Sequence, residues 1–174
     1  NELGDMILNG TLVLNAHLTV AGNMTLPGTP AKVTHDVETA GSALTVEGTL
    51  SVGIGAMIDL TGKGLMAGTS ISAVSSQVES IHISGSHCGG SNGGLGGCAN
   101  ADHTPAVYGN ARSPSLLGGG AVNGSYTVEG TIGGGAGGGA MRIEATTLIL
   151  DGQILANGDA GHNYSNDDGG GGGG

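Results

Sequence analysis

The groups able to do chemistry in this chain are few: two cysteines, six histidines and 14 carboxylates, set against four lysines and arginines. Cys88 and Cys98 flank the run Gly-Gly-Ser-Asn-Gly-Gly-Leu-Gly-Gly. A disulfide closing so floppy a loop would remove much unfolded-chain entropy, worth on the order of 2 to 3 kcal/mol. Metal binding is the rival chemistry, because His87, Cys88, Cys98 and His103 form a His-Cys…Cys-x4-His set with His82 nearby. That spacing fits no common zinc module. Free buried thiols are the third reading. The Cys88–Cys98 disulfide is the expectation, with no metal and no cofactor.

Four sequons mark asparagines able to carry N-linked glycans: Asn9-Gly-Thr, Asn23-Met-Thr, Asn123-Gly-Ser and Asn163-Tyr-Ser. Asn9 and Asn23 stand beside or near a glycine, and Asn123 precedes Gly124, places where a glycan leaves the surface freely. Their alternative is ordinary polar surface. Sequons and a disulfide indicate the same oxidising, secretory compartment.

Catalytic patterns dissolve on inspection. Gly89-Gly90-Ser91-Asn92-Gly93 satisfies G-x-S-x-G, which needs a strand before it and a helix after it. Gly133-x-Gly135-x-x-Gly138 copies a dinucleotide fingerprint, again without a following helix. Carboxylates group only as Asp167-Asp168, Asp151 with Asp159, and Asp36 with Glu38, while Lys32, Lys63, Arg112 and Arg142 are scattered. A lyase acting on acidic polysaccharide would lack the cations to hold its substrate. Asp159, Asp167 and Asp168 lack the repeated G-G-x-G-x-D calcium motif. The expectation is a protein that is not an enzyme.

The elements that would position these groups show themselves through parity. From Met6 to Leu26 the even positions are apolar or glycine, and the odd ones are mostly polar, among them Asn9, Thr11, Asn15, His17, Thr19, Asn23 and Thr25. This is period-two β patterning, with Asn9 and Asn23 on the outward parity. One straight strand of that length would run about 70 Å, so the chain must bend while keeping its alternation. Asn9-Gly10 ordinarily signals a two-residue hairpin. Such a turn would place Leu8 opposite Thr11 on one face and mix the two sets. A corner between stacked strands avoids that conflict, while a bulged hairpin leaves a β-sandwich as the alternative. The pattern returns at Leu44 to Leu60, Tyr126 to Ile132 and Leu148 to Ala156. Val46-Glu47-Gly48-Thr49-Leu50, Val128-Glu129-Gly130-Thr131-Ile132 and Leu150-Asp151-Gly152-Gln153-Ile154 read as corners of successive rungs.

Composition agrees. There is no Phe or Trp and there are three Tyr, so the core must be built from Leu, Ile, Val, Met and Ala. The 39 glycines follow no collagen period. The glycine-rich stretches Gly85 to Gly97, Gly118 to Gly139 and Gly169 to Gly174 read either as linkers or as extended, polyproline-II-like strands packed side by side. A net charge of −10 argues against nucleic acid and anionic membranes as partners. No apolar run is long enough for a membrane-spanning helix. The chain starts at Asn1 and stops within glycines, so a processed or partial piece of a longer protein is expected.

The second half resembles a glycine-rich module of large extracellular or surface proteins of bacteria, plants and protists. The likeness rests on Gly89 to Gly94, Tyr108-Gly109-Asn110, Pro114, Leu117 to Ala121, Gly137-Gly138-Gly139-Ala140-Met141-Arg142-Ile143-Glu144-Ala145 and Leu150 to Gly158. It covers about residues 85–174. The resemblance implies a right-handed β-helix and carries no catalytic residues. Together these readings give an all-β, single-stranded right-handed β-helix (β-solenoid), one domain over 1–174, with rungs over 1–84 and glycine-rich rungs over 85–174. The expected role is a structural, glycosylated subunit of a secreted fibre or surface coat, self-associating through solenoid ends or glycine-rich strands. A carbohydrate-binding adhesin module and a polysaccharide-active β-helix enzyme are the alternatives.

Overall fold

The computed structural model describes residues 3–66, 89–90, 92, 107–110, 112, 114–121 and 134–160. These form nine strands and no helix: β1 Met6–Ile7, β2 Thr11–Val13, β3 His17–Val20, β4 Met24–Leu26, β5 Lys32–Thr34, β6 Ala43–Val52, β7 Met57–Asp59, β8 Arg142–Leu150 and β9 Gln153–Leu155. Every strand pairing is parallel. Hairpins make antiparallel pairs, so none of these strands is joined to its sequence neighbour by one.

Two compact units are present. Unit 1 comprises Asn1–Asp36, Gly41–Leu60 and Met141–Leu155, and contains all nine strands. The chain passes back and forth between two sheets. Sheet 1 holds β1, β3, β4, β6 and β8; sheet 2 has the order β2-β5-β7-β9. Four tiers result. β6 is long enough to pair with β3 through its first half and β4 through its second, and β8 lies along its other edge. Tier 1 is β1 with β2, tier 2 is β3 and β4 with β5, tier 3 is β6 with β7, and tier 4 is β8 with β9.

Parity sets the core. Register aligns Met6, Met24, Leu50 and Leu148 in one column and Leu12, Val33, Ile58 and Ile154 in another. One apolar cluster draws Met24, Leu26, Leu44, Leu50 and Val52 from sheet 1 and Val33 and Ile58 from sheet 2, all fully buried. Burial of each such side chain contributes about 1.5 to 3 kcal/mol. Columns of like aliphatic groups fill this interior without aromatics.

Asn9-Gly10 is a corner, as parity requires: it separates β1 in sheet 1 from β2 in sheet 2, two strands that do not pair. Asp151-Gly152 does the same between β8 and β9. Gly48 differs from the corner expected there. It lies inside β6, beside the Ala21-Gly22-Asn23 break separating β3 from β4, and its close approach to Gly22 and Asn23 leaves no room for a Cβ. Val128 to Ile132 lies outside the described residues.

Unit 2 comprises Val37–Ala40, Thr61–Ala140 and Ala156–Gly174, so its longest part is inserted between β7 and β8. Its described glycine segments pair through isolated backbone hydrogen bonds: Gly64 N–H donates to the Gly137 carbonyl (2.8 Å), Leu65 N–H to Gly118 (3.0 Å), Gly118 N–H to Gly138 (2.8 Å) and Gly137 N–H to Leu65 (3.0 Å). A Cβ on Gly137 would run into the Gly118 carbonyl, so this approach requires glycine. Leu65 and Leu117 form a small buried cluster with Tyr108 packed on it.

Candidate functional site

The outward face of sheet 1 carries the densest set of functional side chains in unit 1. β3 contributes His17 and Thr19, β6 contributes Thr45, and β8 contributes Arg142 and Glu144; register places Thr19, Thr45 and Glu144 side by side. His17 Nε2 lies 2.9 Å from Thr45 Oγ1. Thr45 Oγ1 donates to Glu144 Oε2 at 3.5 Å, and Arg142 Nη2 donates to Glu144 Oε1 at 2.6 Å. A hydroxyl has one proton. If Thr45 donates it to Glu144, His17 must donate to Thr45, and the chain runs His17 to Thr45 to Glu144. The threonine is then a relay that accepts from His17 and donates to the Glu144 carboxylate. Arg142 and Glu144 are 73% and 50% exposed, so this ion pair contributes little to stability.

On sheet 2, Lys32 Nζ donates to Asp59 Oδ2 at 2.6 Å between neighbouring tiers. Asp151 stands exposed at the corner between β8 and β9, where its N–H donates to the Val52 carbonyl (2.9 Å). Asp36 is tied by Asn15, whose Nδ2 donates to Asp36 Oδ2 at 2.5 Å. Among the described residues no three His, Cys, Asp or Glu side chains gather as a metal would require. Gly135 and Gly138 are followed by strand β8 rather than a helix, which removes the context of a dinucleotide fingerprint.

Asn9 is exposed at its corner. Asn23 is exposed too, yet its amide has structural partners. Asn23 N–H donates to Asp5 Oδ1 (2.7 Å), its Nδ2 donates to the same oxygen (3.3 Å), and its Oδ1 accepts from Thr49 N–H (2.9 Å). Asp5, Asn23 and Thr49 thus form a ladder in which a side-chain oxygen of one tier accepts an amide of the next. Sequence reading missed this role. Its signal was present in Gly4-Asp5-Met6, Gly22-Asn23-Met24 and Gly48-Thr49-Leu50, where the same three-residue pattern recurs in successive tiers. Asn123, Asn163, Cys88, Cys98, His87, His103, Asp167 and Asp168 lie outside the described residues.

In unit 2, the Tyr108 hydroxyl donates to the Leu117 carbonyl at 2.9 Å, and burial pushes its phenol well above the ordinary tyrosine range. It closes a packing contact. Comparison with protein-family models, curated proteins and solved structures returns no match.

Proposed function

We propose that this chain is a structural subunit of an extracellular, glycosylated fibre or surface coat, built as a β-solenoid with polyproline-II-like glycine segments. One observation carries the reading. The tiers of unit 1 repeat the same inward columns, and the last tier ends with Leu148, Leu150 and Ile154 still 48%, 46% and 39% exposed. In columns whose middle members are fully buried, such a tier is an unfinished core. Each of these side chains leaves about 1 kcal/mol of burial unrealised. Among the described residues no strand pairs with the outer edge of this tier, which leaves it open to further parallel pairing. The close glycine packing around Gly64, Gly118 and Gly137 favours ordered segments over linkers. The resemblance to glycine-rich surface modules points the same way.

Purified secreted protein is expected to form extended particles with a regular repeat in negative-stain electron microscopy. Its intact mass should fall on glycosidase treatment. A strictly monomeric, unmodified species at high concentration removes the proposal. The exposed polar face bearing His17, Thr19, Thr45 and Glu144 favours a second reading, a carbohydrate-binding adhesin module. A glycan array without a ligand removes that one.

A further inference from the structure

The first and last tiers of unit 1 share one residue spacing. Through the intervening strands, register carries Met6 to Met24, Leu50 and Leu148, and Thr11 to Lys32, Met57 and Gln153. Both paths amount to a shift of 142 positions. That shift lays residues 3–13 on 145–155 without a gap, pairing Met6-Ile7-Leu8-Asn9-Gly10-Thr11-Leu12 with Leu148-Ile149-Leu150-Asp151-Gly152-Gln153-Ile154. The inner tiers do not share this spacing. Between sheets they carry longer corners, Pro27 to Ala31 and Gly53 to Ala56, where the outer tiers turn on Asn9-Gly10 and Asp151-Gly152. Within sheet 1, Val46 to Thr49 spans one residue more than the Ala145 to Thr147 segment it faces, so tier 4 meets tier 3 with a register shift. Leu3 to Met6 has the shorter spacing of Ala145 to Leu148.

Parallel tiers stack best on tiers with corners of equal length, because every hydrogen-bonded pair and every inward column then continues without a bulge. Tier 4 therefore fits tier 1 better than it fits the tier it already covers. Both are open: Leu3 is 45% exposed at one end, and Leu148 and Ile154 are exposed at the other. We propose that the last tier of one molecule, residues 145–155, docks in register on the first tier, residues 3–13, of a second copy of this chain. Leu148 then meets Met6 of the next molecule, Leu150 meets Leu8 and Ile154 meets Leu12. Asp151 meets Asn9, with no like-charge pair among these contacts. The contact is head-to-tail and leaves a free end on each side, so it propagates. Eleven residues a side is below the roughly 20 to 30 of a standard interface, so a single contact is weak and reversible. The inference rests on the fibre reading and names the surface that would build the fibre.

Two variants test it in the full-length chain. One blocks the last tier (Leu148→Lys with Ile154→Lys) and the other blocks the first (Leu3→Lys with Met6→Lys). Far-UV circular dichroism checks that both fold. In sedimentation velocity each variant alone is expected to associate at least about tenfold more weakly than wild type, and their equimolar mixture should form dimers and nothing larger. If the last-tier variant or the first-tier variant dimerises alone, an end pairs with its own kind and the proposal falls. If both assemble as wild type does, the fibre reading stands and this contact is wrong. Closed rings of a few copies would keep the contact and remove the fibre. Hydrogen exchange on wild type needs no variant: protection that grows with concentration should fall on both 3–13 and 145–155. Protection confined to one of them overturns the docking.

Discussion

Replacing Asn23 with alanine separates the ladder from the proposed glycan. The substitution removes the acceptor of the Thr49 N–H, a 2.9 Å bond, and the 3.3 Å bond to Asp5. It leaves the 2.7 Å bond from Asn23 N–H to Asp5, which uses the backbone. A typical intramolecular hydrogen bond contributes about 0.5 to 1.5 kcal/mol. The break at Asn23 is exposed, so water partly replaces the lost acceptor, and the longer bond contributes at the low end. The expected loss is about 1 to 1.5 kcal/mol, equivalent to about 3 to 5 °C in Tm for a chain of this length. Calorimetry on protein made without glycosylation measures it. Thr25→Val is the control, because it destroys the sequon and leaves the Asn23 amide in place. In unglycosylated protein Thr25→Val should lie within about 0.5 kcal/mol of wild type. An Asn23→Ala protein as stable as wild type there would refute the ladder, and equal losses for the two variants only in glycosylated protein would assign the stability to the sugar.

Other substitutions probe the remaining packing. Gly137→Ala forces a Cβ onto the Gly118 carbonyl and should cost about 1 to 3 kcal/mol, with faster exchange at the Gly64, Leu65 and Gly118 amides; unchanged exchange would mean the glycine segments do not pack this way. Leu50→Ala empties a fully buried position and should cost about 2 to 5 kcal/mol by chemical denaturation. Tyr108→Phe gives up the bond to Leu117, about 1 kcal/mol. Because burial raises the Tyr108 phenol in the folded protein, its neutral form is held past the unfolded value of about 10. Stability linked to Tyr108 is thus full below that pH and falls as pH rises above it. A Tyr108→Phe protein should lose that part of the alkaline decline, which stability measured across the alkaline range reads directly.

Parity made much of unit 1 legible, because side-chain direction in a strand has a period of two whatever the sheet. It identified Met24, Leu26, Leu44, Leu50 and Val52 as inward, and it turned Asn9-Gly10 from a hairpin into a corner. The place of Gly48 was not legible: a glycine at a corner and a glycine beside a neighbouring tier's break share the same local sequence, and only the partner strands distinguish them. Buried Val33 and His35 sit on odd positions, with His35 Nδ1 against the Asp36 carbonyl at 2.6 Å; parity reverses across the Pro27 to Ala31 corner, so the even-inward pattern of residues 6–26 does not carry into β5. The His17, Thr45 and Glu144 row joins residues 28 and 99 positions apart, and no local pattern announces such a pairing. The correspondence of 3–13 with 145–155 was visible in principle but lacked meaning until register showed which positions share a column.

The glycine-rich insertion between β7 and β8 also imposes an order on folding. Tier 2 meets tier 3 across a separation of 28 residues, whereas tier 3 meets tier 4 across 99. Closing the longer loop costs about 1 kcal/mol more in chain entropy, so the first three tiers should assemble before β8 and β9 return. Until then β6 presents a free edge above Leu50 and Val52, side chains that end fully buried. Newly made chains at high local concentration are thus most open to mispairing during the interval in which the insertion is still finding its way back.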